Sequence, residues 1–352
     1  MILLQNLSLI ILGVFVLLLS AFASAATYFW LGWPGWLRLG GSLLILPLAA
    51  GIWFWPGQLR ILRRVTVGTL LAVFFTAYAL KTPYPQTFVP LHSELADVTW
   101  YGPEFEVSNF RDSVHPVGAP AKPVWTTNRY NLDDLTGAQL ILQPFGSSAA
   151  TVHVMTSFAF ANGDHLAVSF EARRTSWDKF DALAGFFRHD QLYAVLGTER
   201  DLFWKRLAHV PPNDLYFFDL KAPPEALQGY LRNLLDFVAR IHDEPQFYST
   251  VSESCFTTLL RLAPGIDEQV PWYDYRRWVP GSSIGLFQQL GLLDNSMPAQ
   301  GLIAERKLRS GVRPPWDFES AGDWSRHLRS GDPFTTPDNQ LPTSRIPSGS
   351  SD

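Results

Sequence analysis

The sequence predicts an α+β domain carried behind three membrane-crossing helices, and three observations support this. Three long apolar runs fill the amino-terminal quarter; a polar turn near residue 162 joins two segments of alternating hydrophobicity; two later segments place apolar residues at helical spacing.

The first run, about residues 7–31, carries no charged side chain and exceeds the ~20 apolar residues that cross a bilayer core. Runs at about 39–55 and 65–80 follow, separated by "RILRR" at Arg60 to Arg64. Short loops rich in Arg stay in the cytoplasm, so the second span runs inward, the third runs outward, and everything after Lys81 lies outside. Trp30, Trp33, Trp36, Trp53 and Trp55 stand where interfacial anchors are expected. A competing reading takes "AFASA" at Ala21 to Ala25 as a signal-peptidase site, but no Lys or Arg precedes it and further spans follow. Both readings export the remainder, which suits a multi-pass protein of the bacterial cytoplasmic (inner) membrane with a periplasmic carboxy-terminal domain.

Composition narrows the function classes. A net charge of −4 offers no basic field for nucleic acid. Cys255 is the only cysteine, so no intrachain disulfide forms. The eight histidines are scattered without HExxH or CxxC spacing, and no phosphate-cradling G-x-x-x-x-G-K-[ST] loop occurs, so neither a metal nor a nucleotide cofactor is expected. "PGSSIG" at Pro280 to Gly285 is a turn and lacks the G-x-S-x-G order of a nucleophile elbow.

Residues 83–96 read as a proline-rich linker, 97–300 as the exported domain and 301–352 as a polar, largely disordered tail. Within the domain, 138–145, 151–160 and 165–174 read as strands, the last two forming a hairpin. "DQLYAVLGTERD" and "NDLYFFDLKA" suggest two more. Pro223 and Pro224 open an amphipathic helix with Leu227, Leu231, Leu234, Leu235 and Val238 on one face. A second helix opens at Cys255 behind Ser252 or Ser254 as N-cap.

That placement gives the lone thiol its interest, because the positive end of a helix favours thiolate over thiol. The alternative is a buried cysteine acting as a small hydrophobe. A base is offered by His153 on the hairpin. With a loop of Ala161, Asn162 and Gly163, Gly163 being left-handed, Phe160 faces Asp164 and His153 falls opposite Glu171. Cys255, His153 and Glu171 then follow the logic of nucleophile, base and orienting acid. Glu171 could instead pair with Arg173 or Arg174.

The ordered stretches "FGSSAATVHVMTSFAFANGDHLAVSFEARR", "LYAVLGTERD" and "FYSTVSESCFTTLL", with "NFRD" and "GLLDNSMP" further out, resemble the family named for the amino-terminal periplasmic domain of the bacterial lipoprotein intramolecular transacylase. The resemblance runs from about Trp100 to Pro298. It implies a permuted papain-like fold in which the strand histidine precedes the helix cysteine. It further implies acyl transfer from a lipid through a cysteine thioester, with Cys255 as nucleophile, His153 as base, and membrane lipids and lipoproteins as partners. Tyr248 matches the family's pattern around the cysteine, whereas Ser249 and Ser254 replace asparagines. A cell-wall amidase or peptidase, and a non-catalytic membrane-anchored module, are the competing readings.

Overall fold

The computed structural model describes residues 2–146, 150–175, 180–309 and 311–330. Three long helices come first, α1 (Ile2–Trp30), α2 (Gly35–Phe54) and α3 (Arg60–Leu80). The strands are β1 (Asp97–Tyr101), β2 (Glu104–Arg111), β3 (Trp125–Asn131), β4 (Leu135–Pro144), β5 (Val152–Phe160), β6 (His165–Arg173), β7 (Gln191–Gly197) and β8 (Tyr216–Asp219). Between and after the last two strands come α4 (Glu199–Leu202), α5 (Trp204–Leu207), α6 (Pro224–Asp243), α7 (Cys255–Leu262), α8 (Ser283–Gln289), α9 (Ala299–Glu305) and α10 (Ala321–Arg329). The protein is therefore α+β, as the sequence predicts.

Two compact units partition the chain. One holds the residues through Thr87 with Ala172–Leu192 and Pro245–Glu253; the other holds Phe88–Glu171, Tyr193–Glu244 and the described residues from Ser254 onward.

In the first unit, α1, α2 and α3 are each long and apolar enough to cross a membrane. Their seam is Val16, Ala23, Trp53, Val67 and Leu71. Ile10, Leu18, Leu43 and Leu70 are more than half exposed, an arrangement that lipid tails satisfy and water does not. At the ends of α1 and α3, Trp30 stacks on Phe74 and Tyr78. The loop before β7 docks there: Trp30 Nε1 donates to Phe187 O at 2.6 Å, and Phe187 stacks on Phe29.

In the second unit the strand order is β1-β2-β7-β6-β5-β4-β8, with β3 also on β2. One face of the sheet meets α6, where Phe170 packs on Phe237 and Phe158 on Tyr230. The opposite face packs Ile141, Met155, Tyr193 and Val195 against Leu202, Phe203, Trp204, Trp324 and Leu328. Even-numbered residues of β5 thus serve one layer and odd-numbered residues the other, as strand alternation requires.

Two expected boundaries are corrected. Val89, Leu91 and His92 are buried, and Leu91 O accepts from Tyr193 Oη at 3.0 Å and from Arg111 at 3.3 Å, so the second half of the supposed linker is part of the domain. Residues 301–309 and 311–330 likewise belong to it rather than to a disordered tail. Trp324 is fully buried, its indole N–H donating to Arg313 O at 2.9 Å, because three apolar anchors, Leu308, Trp324 and Leu328, outweigh the polar average of that segment. The tail from residue 331 lies outside the described residues.

Candidate active site

The hairpin takes the predicted register. Met155 pairs with Ser169 and Ala159 with His165, Phe160 N–H donates to Asp164 O at 2.9 Å, and Gly163 has φ +87°. Glycine suits that turn because a side chain would strain it. The β5–β6 ladder stops at Met155 and Ser169, while β5 stays on β4 as far as Val152. At this parting of the strands the backbone N–H of Val154, freed from the ladder with β6, is one of the groups that favour the Cys255 thiolate.

Cys255 arrives there as the first residue of α7, which packs on β5 and α6. Ser254 is the N-cap. Its hydroxyl accepts from Thr257 N–H at 3.2 Å, and Thr257 Oγ1 accepts from Ser254 N–H at 2.9 Å, a reciprocal capping box. The cap replaces whatever an asparagine would do there for helix initiation.

His153 and Glu171 do share one side of the hairpin, but a residue stands between them. His153 Nε2 lies 2.8 Å from Ser169 Oγ, Ser169 Oγ donates to Glu171 Oε1 at 2.9 Å, and Nε2 is 3.7 Å from Glu171 Oε1. A hydroxyl has one proton. Since that proton goes to the carboxylate, Ser169 accepts from His153 Nε2–H, which leaves the lone pair on Nδ1. Among the described residues Nδ1 has no hydrogen-bond partner, so it is the nitrogen available to take a proton. The same relay fixes the tautomer that a general base at Nδ1 requires.

The groups around Glu171, two cations and an imidazole, do not stand out in the sequence. Arg206 Nη2 is 3.0 Å from Oε1, Lys205 Nζ 3.8 Å from Oε2 and His92 Nε2 3.9 Å from Oε2. Arg206 is itself held by Gln143 Oε1 at 2.5 Å and by Leu202 O. Burial would raise the Glu171 carboxyl, but Lys205 and Arg206 outweigh it and hold the group well below the usual carboxylate range. Burial, with Arg206 and Lys205 adding, pushes His153 down to about 3 against the pull of Glu171.

The expected activation of the thiol is reversed in this resting state. Cys255 is 7 % exposed, and burial pushes it up to about 11, with Glu171 adding to the rise. Backbone N–H groups of Val154, Phe256 and Cys255 itself favour the thiolate but do not overcome desolvation. Nucleophile and base are therefore both neutral. No hydrogen bond joins Sγ to the imidazole among the described residues.

Tyr248 and Arg173 belong to the unit of the three helices. Tyr248 sits edge-on to Phe180 at 5.7 Å, with its N–H on Asp190 O at 2.9 Å, and Arg173 Nη1 donates to Gln191 Oε1 at 3.2 Å. Among the described residues no three His, Cys, Asp or Glu side chains are grouped to hold a metal ion.

A comparison with protein families now adds to this geometry. The model described as the Lnb N-terminal periplasmic domain matches residues 121–281. Over that segment, a little under half of the chain, the sequence is similar to this family. No curated protein and no solved structure matches the chain. The Lnb segment runs from the approach to β3 to the turn before α8 and contains His153, Ser169, Glu171, Arg206 and Cys255. It leaves α1–α3, β1, β2 and α8–α10 outside. The three apolar helices together with this family describe a membrane protein with a periplasmic domain.

Proposed function

We propose that the chain is a cysteine-dependent acyltransferase, anchored in the cytoplasmic membrane by α1–α3 and working at its outer face on phospholipids or lipoproteins. The observation that carries this reading is the donor chain from His153 Nε2–H through Ser169 to Glu171, which leaves the Nδ1 lone pair free to take a proton, on the residue next to Val154, whose backbone N–H favours the Cys255 thiolate. A strand histidine preceding a helix cysteine is the order of a permuted papain-like site, and the Lnb family match is consistent with it.

Sγ attacks an ester carbonyl while Nδ1 takes the thiol proton, so the thiolate forms only as the C–S bond forms. The amides at the start of α7 stabilise the oxyanion. Collapse breaks the ester C–O bond, and Nδ1–H protonates the departing alcohol. The acceptor amine, or water, then attacks the thioester as Nδ1 takes its proton, and the departing sulfur recovers that proton. The relay to Glu171 stabilises the transient imidazolium without itself becoming protonated.

The test compares lipoprotein amino-termini, lysophospholipids and wall fragments by mass spectrometry in cells with wild-type protein or Cys255→Ala. Loss of an acylated product supports acyl transfer. Unchanged acylation with altered wall fragments replaces it by an amidase. The protonated, buried thiol favours a second reading, a non-catalytic binding module, which requires that neither Cys255→Ala nor His153→Ala alter any of these products.

A further inference from the structure

A cavity of about 440 Å³ opens within the unit of the three helices, at the carboxy-terminal end of α3. Its wall includes Tyr78, Lys81, Arg188, Phe247, Ser252 and Glu253. By the orientation that Arg60, Arg63 and Arg64 set, this is the level of the outer headgroups. Trp30, stacked on Tyr78 at the end of α1, occupies the same level.

Two cations are placed side by side there. Lys81 Nζ donates to Arg188 O at 2.8 Å and lies over the rings of Trp30 at 4.5 Å and Phe247 at 5.3 Å. Arg188, a non-glycine residue at φ +51°, turns its guanidinium onto the last carbonyls of α3, Nη1 donating to Tyr78 O at 2.7 Å and Ala79 O at 2.8 Å. Burial and the nearby Arg188 push Lys81 down to about 8. No carboxylate lies within ion-pair distance of either cation among the described residues. Two like charges held together, half-buried and without a counter-ion, form a site that an anion stabilises. The aromatic flank and the headgroup level select an anion that carries acyl chains.

We propose that this cavity binds the phosphodiester of an outer-leaflet phospholipid, with Lys81 and Arg188 on the phosphate. The site is independent of acyl transfer at Cys255, so a catalytically dead protein retains it.

The experiment uses delipidated full-length Cys255→Ser protein in uncharged detergent, titrated with dioctanoylphosphatidylglycerol and followed by native mass spectrometry. Dioctanoylglycerol and inorganic phosphate are the comparison ligands. The expected result is binding of the phospholipid that weakens at least tenfold in Lys81→Gln and persists in Lys81→Arg, with dioctanoylglycerol binding at least tenfold more weakly. Arg188→Gln also removes the cap on α3, so the Lys81 pair carries the test. Equal affinity of wild type and Lys81→Gln overturns the proposal, as does equal binding of dioctanoylglycerol. Inorganic phosphate binding as tightly as the phospholipid overturns the assignment to a lipid. Failure of Cys255→Ala to alter acylation in cells leaves these outcomes unchanged, so the two readings fail separately.

Discussion

Alkylation of Cys255 across pH probes the neutral resting pair directly. The thiol stands at about 11 against an ordinary value of about 9, a shift of about two units. At pH 7 that leaves about 100-fold less thiolate than in a free cysteine, equivalent to about 3 kcal/mol in favour of the protonated form. Reaction of the full chain with iodoacetamide, followed by mass spectrometry of the Cys255 peptide, is therefore expected to run at least about 100-fold slower at pH 7 than in the denatured chain. The 7 % exposure of the residue slows it further. The rate is expected to climb about tenfold per pH unit with no plateau by pH 9.5. Glu171→Gln removes an anion that raises the thiol, so its profile shifts to lower pH. A plateau between pH 5 and 7 means a preformed thiolate–imidazolium pair and refutes the reasoning.

Three further outcomes follow from the same structure. Ser169→Ala breaks the relay that sets the His153 tautomer, so turnover falls by roughly 10²-fold, the lower end of what general-base catalysis contributes, while KM and the melting temperature stay near wild type; a merely structural role would move the melt and spare the rate. His153, neutral in the fold down to about pH 3, gains a proton on unfolding below its ordinary 6.5, so its contribution to stability is full above pH 6.5 and is lost as pH falls toward 3. Denaturation of wild type and His153→Gln between pH 7 and 4 is expected to show the shallower loss in the variant. Trp324→Ala empties a fully buried site and costs about 3 to 5 kcal/mol in the same assay, whereas an independent tail gives no change.

What was legible in the sequence was local. The hairpin register follows from one left-handed glycine and from alternation, because a slip by one residue would turn every apolar side chain to the wrong face. The start of α7 follows from Ser254 and Thr257, three residues apart and satisfied by each other. Glu171's neighbours cannot be read in this way: the cations Arg206 and Lys205 lie on a four-residue helix with no period to detect, and the imidazole of His92 lies in a stretch whose prolines read as linker. β1, β2 and β3 do not stand out in the sequence: β1 and β3 are partly polar and part-exposed, and β2 interleaves Glu104, Glu106, Ser108 and Asn109 with its buried Phe105, Val107 and Phe110. The helix terminus that favours a thiolate at Cys255 is visible in the sequence, whereas the depth of burial that opposes it is not.

The most direct test of the central claim is the covalent intermediate. Full-length protein purified from membranes with its lipids is digested, and the Cys255 peptide is weighed before and after neutral hydroxylamine. An acyl adduct that hydroxylamine removes, and that is missing in Cys255→Ala and His153→Ala, is the expected result. A peptide that never carries an acyl group, in cells where deletion of the protein leaves lipoprotein acylation unchanged, contradicts it.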